Sequence, residues 1–429
     1  MQVLPFWLAG ALTGLIAVAY ARAFAILEEG YRSAVGHNTW VLFIVSPLAF
    51  FASWALVTRF SPEAAGSGIP QLMAAASPGA GSAMVNRLLG TRVAVVKILS
   101  SCVAIAGGAA IGREGPTLQI SGAVFRAVQS RLPKFWPRVP MSSMLLAGGA
   151  AGLAAAFNTP LGGIVYAIEE LARTHIASFR SGALHAVLVA GLVAQAILGP
   201  YLYLGFPRVG VWSSHDLPWC ALLGGACGLI GALWARGLFS VVQFRGRLLG
   251  ARRQAMFALG AGLLFAILVS MTGSATLGSG RSLIESRLFD DPSPDGTGPV
   301  IGRLAGSFLS FAVGGAGGIF APALASGAAI ASALAPAFAP IEPRLLIVLG
   351  MVAFLTGVTR TPFTSFVLVL EMTDRRSALF PMMIAAMSAY AVGHLVDHKS
   401  FYERVRERIQ REMGQDTPDK PPEADLNEG

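Results

Sequence analysis

The sequence predicts an all-α polytopic membrane protein made of two repeated halves of many short, broken helices. Three observations lead there. First, the 429 residues are 54% hydrophobic and 13% charged, against roughly 25% charged in a typical soluble domain. Second, apolar stretches follow one another at about 3–27, 40–59, 92–111, 115–129, 143–157, 160–174 and 183–204, then 217–240, 254–272, 298–313, 318–335, 344–358, 361–373 and 378–396. Many fall short of the near 20 residues needed to cross a hydrocarbon core of about 30 Å, which suggests helices that break and meet inside the membrane. Third, landmarks recur. Gly66-Ser-Gly68 returns as Gly278-Ser-Gly280, Glu114-Gly-Pro116 as Phe320-Ala-Pro322, and Phe157-Asn-Thr-Pro160 with Glu169 as Thr359-Arg-Thr-Pro362 with Glu371. The offsets are 212 (Gly68 to Gly280), 206 (Pro116 to Pro322) and 202 (Pro160 to Pro362), in the same order. Repeated halves with matching broken segments mark a transporter, with its substrate site between the halves.

Taken in order, residues 3–27 read as a retained first span, because no basic stretch precedes them and the run is long for a signal peptide. Residues 61–70, 205–216 and 290–298 read as loops. The chain divides into a transmembrane transport domain over 1–412, with a first repeat at about 1–205, a second at about 216–398 and a terminal charged helix at about 400–412. Residues 413–429, rich in Pro, Glu and Asp, are expected to be a disordered cytoplasmic tail. Fifty glycines fit close helix approach in a membrane. The net charge of +9 is carried without a long basic run interleaved with aromatics, so nucleic acid is not the expected partner. Cys102, Cys220 and Cys227 lack paired or metal-like spacing, and the six histidines are scattered. Neither disulfides nor a metal or other cofactor is implied.

The sharpest stretch is Gly107 to Thr117, GGAAIGREGPT. A carboxylate at bilayer depth costs roughly 2.5–3.5 kcal/mol, so Glu114 calls for a reason. Gly112 and Gly115 let the backbone turn around Arg113 and Glu114, and Pro116 fits the first turn of the helix that follows. Free N–H groups at that start would face an anion. Other residues admit two readings each. Ser67 could cap a helix or donate to an anion. The loop at Gly318-Ile319-Phe320 could be a packing turn or a main-chain donor set, with Gly317 and Gly318 allowing close approach. Tyr402 could anchor at the interface, Lys97 and Arg113 could snorkel, and Glu169-Glu170, next to Arg173, could end a helix in the cytosol.

Gly66-Ser67-Gly68-Ile-Pro70, Gly112-Arg-Glu-Gly115-Pro116 and Gly318-Ile-Phe-Ala-Pro322 together resemble the signature segments of the CLC family of chloride channels and chloride/proton antiporters. The resemblance runs from about Leu12 to Tyr402 and includes Ala154 to Pro160 and Ile168-Glu-Glu-Leu171. It implies two inverted halves per subunit, a homodimer in membrane lipid, and one permeation path per subunit. It implies chloride held by Ser67, by the main chain of Ile319 and Phe320, and by Tyr402, with Glu114 as outer gate and external proton acceptor. Glu170 takes the place of the internal proton acceptor of the family's antiporters. Glu169, Arg113 and Lys97 would be supporting, and Gly66, Gly68, Gly115 and Gly318 would shape the loops. Glu371 has no role in that pattern beyond a structural one.

The expected function is therefore electrogenic exchange of chloride for protons, in a bacterial inner membrane. A passive chloride channel on the same scaffold is the main alternative, and Glu170 speaks against it. A fluoride exchanger is disfavoured by the chloride-type serine and Gly-Ile-Phe-Ala-Pro loops. A membrane-embedded enzyme using the glutamates would ordinarily add a nucleophile or metal ligands, and a dinucleotide loop at Gly107 to Gly112 would need a βαβ unit.

Overall fold

Apolar composition and proline placement decide where helices start. The computed structural model describes residues 3–133, 135–136, 139–171, 181–199, 203–248, 250–290, 296–338, 341–373 and 376–414. The first half contains α1 (Leu4–His37), α2 (Trp40–Phe60), α3 (Ile69–Ala76), α4 (Ser82–Leu88), α5 (Thr91–Ala106), α6 (Glu114–Arg131), α7 (Met141–Phe157), α8 (Pro160–Tyr166) and α9 (Ser181–Leu198). The second contains α10 (Leu217–Arg247), α11 (Ala251–Thr272), α12 (Arg281–Glu285), α13 (Gly298–Ala312), α14 (Phe320–Leu334), α15 (Pro343–Thr359), α16 (Pro362–Thr373) and α17 (Leu379–Val396), and α18 (Phe401–Glu412) closes the chain. Proline opens α8, α15 and α16, where its missing N–H costs nothing. Among the described residues there are no strands beyond two isolated bridges.

The apolar stretches become helices, most with small shifts of boundary, but the one expected at 3–27 runs on to His37, the one at 217–240 runs on to Arg247, and the one at 183–204 ends at Leu198. Three short helices, α3, α4 and α12, were not separable by hydropathy because they fit inside loops or flanks. The stretch expected at 160–174 is α8 followed by a π turn at Ala167–Leu171, and 172–180 lie outside the described residues. So do 291–295 of the expected loop at 290–298, and the expected tail from 415 onward.

The repeat is reproduced almost residue by residue. Helices α6 and α14 begin 206 residues apart, and α7 and α15 both begin and end 202 apart. Asn158 (φ 57°) and Arg360 (φ 61°), also 202 apart, both take the left-handed conformation after their helices. At the centre, Gly112 and its counterpart Gly318 bond to each other: Gly112 N–H donates to Gly318 O at 2.8 Å and Gly318 N–H to Gly112 O at 2.7 Å. This is an antiparallel bridge. Equivalent residues paired antiparallel lie either side of a local two-fold axis, which relates the two halves.

The same symmetry governs a reciprocal cap. Glu169 accepts from the Phe363 and Thr364 amides at the start of α16 (3.0 and 2.6 Å). Glu371 accepts from the Leu161 and Gly162 amides at the start of α8 (3.0 and 2.6 Å). Each carboxylate satisfies N–H groups that a helix start leaves open and meets the positive end of its dipole.

Helices α7 and α15 are buried along almost their whole length. Close approach depends on glycine: a methyl group on Gly327 would collide with the Gly350 carbonyl of α15, and one on Gly357 with the Gly228 carbonyl of α10. The long helices turn apolar side chains outward, including Leu259, Leu263, Ile267 and Met271 on α11. Seven helical stretches among the described residues are long and apolar enough to cross a membrane.

Candidate functional site

Three loops from different parts of the sequence meet at the two-fold. The turn before α3 has Gly66 at φ +66° and Gly68 at φ +96°, a region that favours glycine. Gly66 N–H donates to Gly315 O at 2.8 Å, and Gly317 N–H donates to Gly66 O at 3.1 Å. With the Gly112–Gly318 bridge, these bonds tie the loops of Ser67, Glu114 and Phe320 into one unit. Lys97, fully buried, supports the Ser67 turn from behind, donating to Gly66 O at 2.9 Å and more distantly to Ala65 O at 3.5 Å. It does not snorkel. Its ammonium is spent on carbonyl oxygens, which leaves the face of the turn to uncharged donors.

Ser67 is 3% exposed. It does not cap α3, whose N-cap is Gly68 and carries no side-chain cap bond. Gly115 leaves room for it, since a methyl there would strike the Ser67 hydroxyl. Tyr402 is fully buried rather than interfacial. It is held at the start of α18 by the capping box in which Glu403 N–H donates to Ser400 Oγ at 3.1 Å. Its ring stacks on Phe320 at 6.2 Å and 14°, and its hydroxyl approaches Ser67. Neither hydroxyl completes a hydrogen bond of good geometry among the described residues.

Glu114 opens α6, with half-buried Arg113 as its N-cap. Its carboxylate is fully buried and folds back over Gly112, where any side chain would collide with it. It lies beside its own N–H and that of Ala321 without completing a well-formed bond to either. Ile319 and Phe320 form the opposite wall as N-cap and first residue of α14, both buried. The site therefore gathers the starts of α6 and α14, two unpartnered hydroxyls and one carboxylate, in an apolar enclosure. Donors without a full countercharge can hold a small anion and release it.

The second half repeats the first turn and shows what such a turn binds. Gly278 and Gly280 have φ of +67° and +86°. There the Glu28 carboxylate of α1 accepts from Ser279 N–H at 2.9 Å and from Ser279 Oγ at 3.1 Å to each oxygen. Arg303, 206 residues after Lys97, repeats the lysine's role by donating to Gly278 O at 3.0 Å and Ser279 O at 3.1 Å.

Glu170 is 1% exposed and sits in the π turn after α8, within electrostatic reach of Tyr402. Glu169, its neighbour, faces α16 in the reciprocal cap. A cavity of about 250 Å³ reaches Ser67 and Gly66 from one side, lined by Arg87, Arg245 and Arg408 among others. Among the described residues no cluster of His, Cys, Asp or Glu could hold a metal, and all three cysteines are free. The structure brings Ser67, Glu114, Ile319, Phe320 and Tyr402, all named from the sequence, to one place. Sequence reasoning passed over Arg303, which the 206-residue offset would have found, and Glu28, for which no sequence signal exists.

The fold and site define a multi-pass integral membrane protein whose two inverted halves meet at a buried cluster of helix starts, hydroxyls and one carboxylate. The family described as "Voltage gated chloride channel" matches residues 48–394, and the chain belongs to it. It is 31% identical to the H(+)/Cl(-) exchange transporter ClcA of Vibrio cholerae, over 97% of this chain and 91% of that one. Its fold matches a slow cyanobacterial Cl⁻/H⁺ antiporter with a TM-score of 0.83 at 22% identity, covering 96% of this chain and 99% of the other. It also matches a CLC-type fluoride/proton antiporter with a TM-score of 0.75 at 20% identity, covering 93% and 96%.

Proposed function

We propose that the protein is a secondary active transporter exchanging chloride for protons across a bacterial inner membrane, as a homodimer with one anion path per subunit. Its transport domain spans residues 1–412. The observation that carries this reading is the position of the Glu114 carboxylate between the starts of α6 and α14. A carboxylate there occupies the place where donors for an anion converge. When charged it competes with chloride; once protonated it loses its hold on those N–H groups and makes way. One proton thus changes places with one anion position.

In this reading chloride is held by Ser67, Tyr402 and the main chain at Ile319 and Phe320, and Glu170 receives protons from the inner side. The cavity lined by Arg87, Arg245 and Arg408 is the inner approach, where cationic groups raise the local anion concentration. The relationship to ClcA exchangers supports this mechanism. Chloride and protons moving in opposite directions carry charge the same way, so each responds to voltage by about 2.3 kcal/mol per 100 mV. A passive chloride channel, the function in the family's description, is the second reading, and the buried Glu170 favours exchange over it.

The test is purified protein in liposomes with an imposed chloride gradient, a proton-sensitive electrode and a controlled membrane potential. Chloride flow is expected to drive protons uphill, and Glu170→Gln to abolish this while anion flow continues. Uncoupled chloride flux in the unsubstituted protein would establish the channel reading instead.

A further inference from the structure

A cluster of rings packs around Phe320, and two of its tyrosines lie within electrostatic reach of Glu170. Tyr402 is stacked on Phe320 at 6.2 Å and Tyr166 is edge-on at 5.8 Å. Phe157 packs alongside at 6.4 Å. A proton cannot cross hydrocarbon, so passage needs a polar atom within the cluster. One is present. The Tyr166 hydroxyl is fully buried and has no hydrogen-bond partner among the described residues. Leaving a buried hydroxyl unmade costs roughly 1–3 kcal/mol, and phenylalanine would fill the same space without that cost.

The local backbone brings this hydroxyl and Glu170 together. Tyr166 ends α8 and Glu170 follows four residues later in the π turn Ala167–Leu171. Residues four apart share a helix face, and single π turns occur often at functional sites. Tyr166 lies within electrostatic reach of both Glu170 and Tyr402.

The inverted copy supplies the control. With the 202-residue offset, Tyr166 corresponds to Leu368 and Glu170 to Met372, both fully buried on α16. That stretch stays α-helical from Pro362 to Thr373 with no π turn. Packing at this place in the fold is therefore met by two apolar residues. The first half departs from it twice, on one face, and at the same turn of helix. Glu169 and Glu371, the capping pair, are kept in both halves.

We infer that Tyr166 is a proton-relay residue that carries the proton from Glu170 through the ring cluster to the anion path. This rests on the exchanger reading above. Protonated Glu170 gives its proton to the Tyr166 oxygen as Tyr166 releases its own to a water on the anion side. The phenol is neutral before and after, and its O–H then rotates back. The water passes the proton on toward Glu114.

The experiment compares the full-length protein with Tyr166→Phe in the same liposomes, reading proton and chloride flux separately. Proton flux is expected to fall at least tenfold, with chloride flux retained and bromide affinity by calorimetry unchanged. Tyr166→Phe with an unchanged proton-to-chloride ratio would overturn the relay, as would a loss of proton and chloride flux in equal proportion. Failure of the unsubstituted protein to pump protons would instead overturn the exchanger reading on which the relay rests.

Discussion

The two halves carry the same Gly-Ser-Gly turn with the same glycine conformations, yet put it to opposite uses. In the second half, Ser279 holds the Glu28 carboxylate, and Arg303 fastens the loop to α13. In the first, Lys97 fastens the loop, but no side chain among the described residues completes a bond to Ser67. The Ser279 turn holds a carboxylate, and the Ser67 turn has the same shape with its hydroxyl left open among the described residues. The difference between them rests on a residue far away in sequence, Glu28 on α1. The same division separates Glu114 from its counterpart Phe320, and the π turn at Glu170 from the regular helix at Met372.

Four measurements would break or sharpen this contrast. The largest effect is expected at Glu114: Glu114→Gln should abolish proton-coupled exchange in liposomes, because in the proposed exchange a titrating group there links the two ions. Next is Glu28→Ala, which strips the charged acceptor from Ser279 N–H and Oγ. A loss of about 2–3 kcal/mol is expected, seen as a lower Tm in detergent; an unchanged Tm would mean the second turn needs no anion. Smaller again is a paired test of the serines. Ser67→Ala should weaken chloride binding by calorimetry about tenfold, the loss of roughly 1.4 kcal/mol, whereas Ser279→Ala should leave that affinity unchanged. The smallest effect belongs to the reciprocal caps. Glu169→Gln and Glu371→Gln should each cost about 1 kcal/mol or less, with exchange by Glu371→Gln intact. Unequal losses would show that the caps are not true equivalents.

Much of this was legible in the sequence. Glycine and proline punctuate a membrane chain where helices must break, so the three loops and their offsets stood out. The apolar stretches read at 160–174, 344–358 and 361–373 begin within one residue of the helix starts at Pro160, Pro343 and Pro362. Other features were hidden because they depend on partners distant along the chain. Nothing local distinguishes Glu28 from a charged residue at a helix end, since its partner is 251 residues away. The capping function of Glu169 and Glu371 is invisible until α8 and α16 lie side by side. Lys97 and Tyr402 each had an interfacial alternative, which their burial removes. The short helices α3 and α12 escaped because eight and five residues leave no periodic signal to read.

The Gly112–Gly318 bridge carries one more consequence. Residues on either side of a two-fold axis are neighbours of their own counterparts. Had the halves been separate copies of one polypeptide, a glutamate at position 114 would have brought its twin to position 320, against the same anion cradle. Two carboxylates sharing that enclosure would repel each other and exclude chloride together. Encoding both halves in a single chain lets one position be acidic and its mate aromatic. The continuous polypeptide is thus what permits a directional device to be assembled from a symmetric frame.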